Sequence, residues 1–178
     1  MRFAIVLRKQ KIDNPWQNYR WKPLEVIPDI GQFGKSLELA GTEKNPKVVG
    51  RFLERDDEGE SWLFAGFDYQ FFADEAEGYF LNSTAPEPCW FVMWRMEEQA
   101  TFGDTPMAVP AMVSLSYHDA GRWLDAQETV EQVPAPPEVM AWMADFAQTH
   151  WVEEPRRRKR PESFKGLQDR FGQPVSVS

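Results

Sequence analysis

One cysteine and two histidines are all that 178 residues supply of the side chains that most often hold metals or act as soft nucleophiles. Cys89 cannot form an intramolecular disulfide on its own, and a cysteine-based zinc site is excluded. His118 and His150 stand in no HxH or HxxxH spacing, so the chain spells out no metal cage. It contains no nucleotide-binding glycine loop and no hydrolase triad motif. No apolar run approaches the roughly 20 residues of a membrane span. The opening MRFAIVLRKQ holds a five-residue apolar run before Arg8 and Lys9, whereas a secretory core needs roughly 7–15 residues. These absences predict a cytoplasmic protein in a reducing compartment, with no cofactor and no metal of its own.

Aromatics and segregated charge take the place of reactive groups. Eight Trp and 13 Phe in a chain that is 42% hydrophobic suffice to build a core without disulfide or metal. Residues 155–178 carry seven Lys/Arg and two Asp/Glu, a net of +5, leaving 13 basic and 26 acidic residues elsewhere, a net of −13. An acidic body repels nucleic acid, so no specific nucleic-acid partner is expected, whereas the basic tail can attract an anionic surface. The division predicts one globular domain over 1–154 and a basic, disordered tail over 155–178.

Within the body, short strands are predicted at 2–8, 21–27, 48–54, 61–65, 68–73, 90–96 and 109–117. Over 21–27 the alternation puts Trp21, Pro23, Glu25 and Ile27 on one face, and Pro23 marks an edge strand. Residues 29–47 are polar and punctuated by Gly and Pro, the least ordered part of the body. A short helix is predicted at 119–126 with His118 at its cap, and a longer one at 137–151. In the longer helix Val139, Trp142, Met143, Phe146 and His150 form an apolar stripe. The fold class is α+β: mainly antiparallel sheet or a partly open barrel, with one C-terminal amphipathic helix packed across it.

Three constellations carry possible chemistry. Asp74, Glu75 and Glu77 crowd a turn before Gly78 and read first as solvated loop charges. If residues 79–81 are a strand, Glu75, Glu77 and Tyr79 share a face and can line a shallow pocket, the basis of a hydrolase or transferase alternative. Cys89 with His118 offers another such set, against the simpler reading of a buried thiol. Trp16 and Tyr19 flank a polar turn beside Arg20, the composition of an interface anchor. With Glu75, Glu77 and Tyr79, and with Arg156, Arg157, Arg158, Lys159 and Arg160 of the tail, they form the candidate interface. An aromatic-lined pocket for a small molecule is the remaining alternative.

Three segments in order, DNPWQNYRWKPLEVIP, DEAEGYFLNSTAPEPCWFVMWRMEE and VPAMVSLSYHDAGRWLDAQETVEQVPAPPEVMAWMADFAQTHW, resemble an uncharacterised proteobacterial family of unknown-function proteins. The resemblance covers most of residues 2–160 and is weakest over 29–73. Members of that family recur beside genes for formate dehydrogenase and other molybdoenzymes. The resemblance implies an accessory or assembly role, with a formate dehydrogenase subunit or a maturation factor as protein client. It brings no catalytic residues.

Overall fold

A computed structural model describes residues 1–33, 50–97 and 106–152. The expected tail at 155–178, including Arg156–Arg160, and most of the irregular stretch at 29–47 lie outside those residues. Among the described residues the chain runs β1 (Arg2–Lys11), β2 (Tyr19–Pro28), β3 (Arg51–Asp56) and β4 (Gly59–Asp68). A single 3₁₀ turn (Ala73–Glu75) leads into α1 (Ala76–Ser83), followed by β5 (Cys89–Glu97) and β6 (Met107–Ser114). Then come α2 (Tyr117–Asp125), β7 (Thr129–Pro134) and α3 (Pro137–His150). The strands make two antiparallel sheets, ordered β2-β1-β4-β3 and β6-β5-β7. The protein is α+β and sheet-dominated with a C-terminal helix, and the sheets do not close into a barrel.

Burial of one face of each sheet explains the architecture. Phe3, Ile5 and Leu7 of β1, Trp62 and Phe64 of β4, and Trp90 and Val92 of β5 alternate into one core with Val139, Met143 and Ala147 of α3. Trp90 is its centre, with the rings of Phe3 and Tyr69 edge-on at 4.7 and 5.4 Å. Each such ring contributes roughly 2–3 kcal/mol through burial alone. β1 is apolar on both faces because Ala4 and Val6 form a second buried cluster with Leu63 and Ala65 behind the first sheet. Behind the second sheet, Cys89 and Phe91 pack on Ala120 and Trp123 of α2.

β-bulges account for the departures from simple alternation. The β1–β2 register shifts at Val6/Leu7, so Leu24 is skipped and Trp21 and Val26 both face the core, while Ile27 turns to the other side. Pro23 does sit on an edge strand. A second shift skips Gly66, whose φ of +90° is open to glycine at no steric cost. Because the bulge is absorbed within the ladder, 61–65 is part of one long β4 rather than a strand ending at Gly66. Residues 69–73 then form no strand. Residues 79–81 lie in α1, not in a strand, and the segment read as strand to residue 117 stops at Ser114, where α2 is about to begin. β7 had no sequence counterpart among the expected strands. In α3 the buried residues are Val139, Met143 and Ala147; Trp142 and His150 are exposed, and His150 lies against the Phe146 ring instead of in the core.

Candidate functional site

Among the described residues, depressions beside α1 and between β2 and β7 bring polar and aromatic side chains together. The first, about 770 Å³, opens beside the start of α1 and is lined by Tyr69, Glu75, Tyr79, Ser114 and Asp119 among others. Its chemistry grows from the amino end of α2. Ser116 is extended and caps the helix, accepting the N–H groups of His118 and Asp119 at 3.1 and 3.3 Å. Ser116, not His118, is therefore the cap. The same hydroxyl donates to Glu75 Oε2 at 2.5 Å. Arg122 bonds both Glu75 and Asp119, and Ser114 donates to Asp119 at 2.6 Å. Gly78 makes this approach possible, since a Cβ there would lie 2.3 Å from Ser116 Oγ.

One helical turn further on, Asn82 is buried and holds three backbone groups. Its amide donates to Cys89 O and Leu115 O at 2.7 and 2.8 Å, and its carbonyl accepts Cys89 N–H at 3.1 Å. α1 is thereby tied to β5 and to the chain leading into α2. Tyr69 and Tyr79 are engaged as well, their hydroxyls accepting Leu115 N–H and Phe72 N–H. Burial pushes both phenols above their ordinary range.

Catalysis needs groups with unspent capacity, and this cleft has few. Ser116 is 0% exposed, with its proton and its acceptor capacity already used. His118 comes to 3.9 Å from Glu75 through Nδ1, but stands as neighbour to the carboxylate, not as base to the serine. For Glu75, burial works against ionisation, yet the Ser116 hydroxyl and Arg122 outweigh it and hold the carboxyl below its usual range. A carboxylate so held is a weak base. Burial, with Glu87 nearby, pushes the Cys89 thiol up to about 11, so it stays protonated at neutral pH. Among the described residues no three His, Cys, Asp or Glu side chains are grouped to hold a metal ion.

The second depression is a groove of about 430 Å³ at the end where β2 of one sheet passes β7 of the other. Tyr19, Trp94 and Met96 supply its apolar surface, while Lys9, Arg20 and Glu131 supply its charges. Lys9 Nζ sits 4.5 Å from the centre of the Tyr19 ring, and Arg20 reaches Glu131 at 3.5 Å. Gln17 also lines the groove, and Trp16 beside it is 95% exposed. An Asx turn through Asn14 and the Trp16 N–H shapes this β1–β2 loop.

A family model, "Protein of unknown function (DUF3305)", matches residues 2–160. The chain belongs to the DUF3305 family. No curated protein and no solved structure matches it. Roles in this DUF3305 protein must therefore be argued from its own geometry. That geometry divides the candidate interface read from the sequence. Tyr19 and Arg20 line the groove with Trp16 next to it; Glu75 and Tyr79 line the cleft, and Glu77 lies exposed on α1 and lines neither. Lys9, Trp94 and Glu131 were not among the candidate interface residues, because they come from three separate strands. Ser116 could have been found: Ser-x-x-Asp before an amphipathic run is a helix-start signature.

Proposed function

We propose that this protein is a non-catalytic accessory factor that acts in the cytoplasm by binding a protein client. The resemblance to proteins encoded beside molybdoenzyme genes makes a formate dehydrogenase subunit, or one of its maturation factors, the client. The observation that carries a binding role is Trp16, 95% exposed in the β1–β2 loop and next in sequence to Gln17, which lines an aromatic groove with Tyr19 and the exposed Arg20. Large aromatics left in water beside Arg are the usual anchors of protein interfaces. The state of the reactive groups favours the same reading, because Ser116, Glu75 and Cys89 are each committed to packing or to internal bonds. No helix among the described residues is long and apolar enough to cross a membrane.

Affinity capture from cells expressing the dehydrogenase tests the proposal. The tagged protein should recover a dehydrogenase subunit or maturation factor, and deletion of its gene should lower dehydrogenase activity. Normal activity in the deletion strain, with neither class of protein recovered, would overturn it.

A further inference from the structure

The groove between β2 and β7 gathers two cations and aromatic side chains around one carboxylate. The chain outside residues 155–178 carries a net charge of −13, and several of its cations are held closely by carboxylates. Arg8 holds Asp56 at 2.6 and 2.7 Å, Arg55 holds Glu60 at 2.8 Å, and Arg95 holds Glu128 at 2.9 Å. At the groove, Lys9 rests over an aromatic face, and Arg20 meets its carboxylate only at 3.5 Å, a weak bond. The lining thus holds two cations and one carboxylate, Glu131, which Arg20 bonds weakly.

Around those charges lies apolar surface. Tyr19, Trp94 and Met96 line the groove, and Trp16, the chain neighbour of its Gln17, is exposed. The indole N–H of Trp94 is shielded from solvent and meets no acceptor among the described residues. An extended chain supplies carboxylates for Lys9 and Arg20 and an apolar side chain for the aromatic wall. Repulsion from the acidic body is screened beyond about 8 Å at physiological ionic strength. A short acidic segment is therefore received at the groove, while an extensive acidic surface is not.

We infer that the Lys9–Tyr19–Arg20–Trp94 groove is a recognition site for a short, acidic linear segment of a partner protein, with one apolar or aromatic side chain set among carboxylates. This rests on the protein-binding reading above and specifies the chemistry of the partner. Lys9 and Arg20 give selectivity for the acidic segment, and Tyr19 and Trp94 receive its apolar anchor.

Fluorescence polarisation with a fluorescein-labelled peptide, one Phe flanked by glutamates, tests the site on the full chain. Replacing each Glu of the peptide by Gln should weaken binding about tenfold, and added salt should weaken the Glu peptide more than the Gln peptide. The double variant Lys9→Glu/Arg20→Glu should lose the Glu peptide and gain a Lys-flanked one, with its melting temperature unchanged. Equal binding of the Glu and Gln peptides, or indifference to the double variant, would overturn the inference. So would displacement of the peptide by benzoate at the peptide's own concentration, which would mark a small-molecule site. The double variant is also run in the affinity capture. If it recovers the same client as the unaltered protein, the groove assignment falls and the accessory role stands. If the peptides discriminate as stated but no client is recovered, the groove assignment stands and the client assignment falls.

Discussion

The cleft beside α1 and the groove between β2 and β7 are built from similar side chains and put them to opposite uses. In the cleft, Arg122 pairs with both Glu75 and Asp119, and Ser116 and Asn82 spend their bonds on backbone and on Glu75. Ser116 and Asn82 are partnered because they are shielded from water, where an unmade hydrogen bond costs about 1–3 kcal/mol. In the groove, Lys9, Tyr19 and Arg20 lie within reach of water, so loose pairing costs little. Satisfied polar clusters hold a fold together, whereas unsatisfied ones at a surface are free to bind. Substitutions in the cleft should therefore lower stability, and substitutions in the groove should leave it alone.

The largest effect is expected from Asn82→Ala. It leaves Cys89 N–H, Cys89 O and Leu115 O buried without their side-chain partner, at a cost of about 3 kcal/mol. Urea unfolding gives the value, and a loss below about 1 kcal/mol would mean that Asn82 is not the tie between α1 and β5. Gly78→Ala comes next, at about 2 kcal/mol, because its Cβ would displace the Ser116 hydroxyl from the α2 cap. Combined with Ser116→Ala, it should cost less than the sum of the two single changes. Strict additivity in that double-mutant cycle would show that the two residues do not share one contact.

A smaller effect comes with acid. Arg8 holds the Asp56 carboxyl below its usual range, Arg95 does the same for Glu128, and Ser116 and Arg122 do so for Glu75 against the opposing effect of burial. A carboxyl whose folded pKa is depressed adds stability that is complete above its ordinary value near 4.5 and is lost as pH falls through the folded value. Stability measured by urea at descending pH should fall in that window, and the fall should be shallower in Glu75→Gln. A Glu75→Gln variant with the same pH profile as the parent would assign the acid sensitivity to the surface pairs. Smallest of all, Trp16→Ala and Lys9→Glu/Arg20→Glu should move stability by no more than about 0.5 kcal/mol. A larger loss from these groove substitutions would end the contrast between the two regions.

Much of this could be read along the chain wherever a residue's role depends on near neighbours. Residues 3–7 are apolar without interruption, and β1 is buried on both faces there. Pro23 cannot donate to a ladder, and β2 is an edge. Pro137 at the first turn and the apolar spacing that follows it located α3. Failures came where local preference was overridden. The aromatic run at 79–81 favours a strand, but α1 forms because Gly78 lets it pack against the α2 cap and Asn82 reaches two other segments. Polar Thr129–Pro134 has little strand signal of its own and pairs because β5 presents an open edge.

Sequence by itself determined the α+β class, the core-forming strands, the edge position of Pro23, the segregation of charge and the exposed aromatic turn around Trp16. These follow from periodicity, backbone restriction and composition, which act over a few residues. Tertiary structure decided which distant groups meet. It set Glu75 on Ser116 and Arg122, at separations of 41 and 47 residues, and Arg20 beside Glu131, at a separation of 111. Such meetings depend on bulges that reset side-chain faces and on how two sheets are laid together, and neither leaves a repeating mark in the chain.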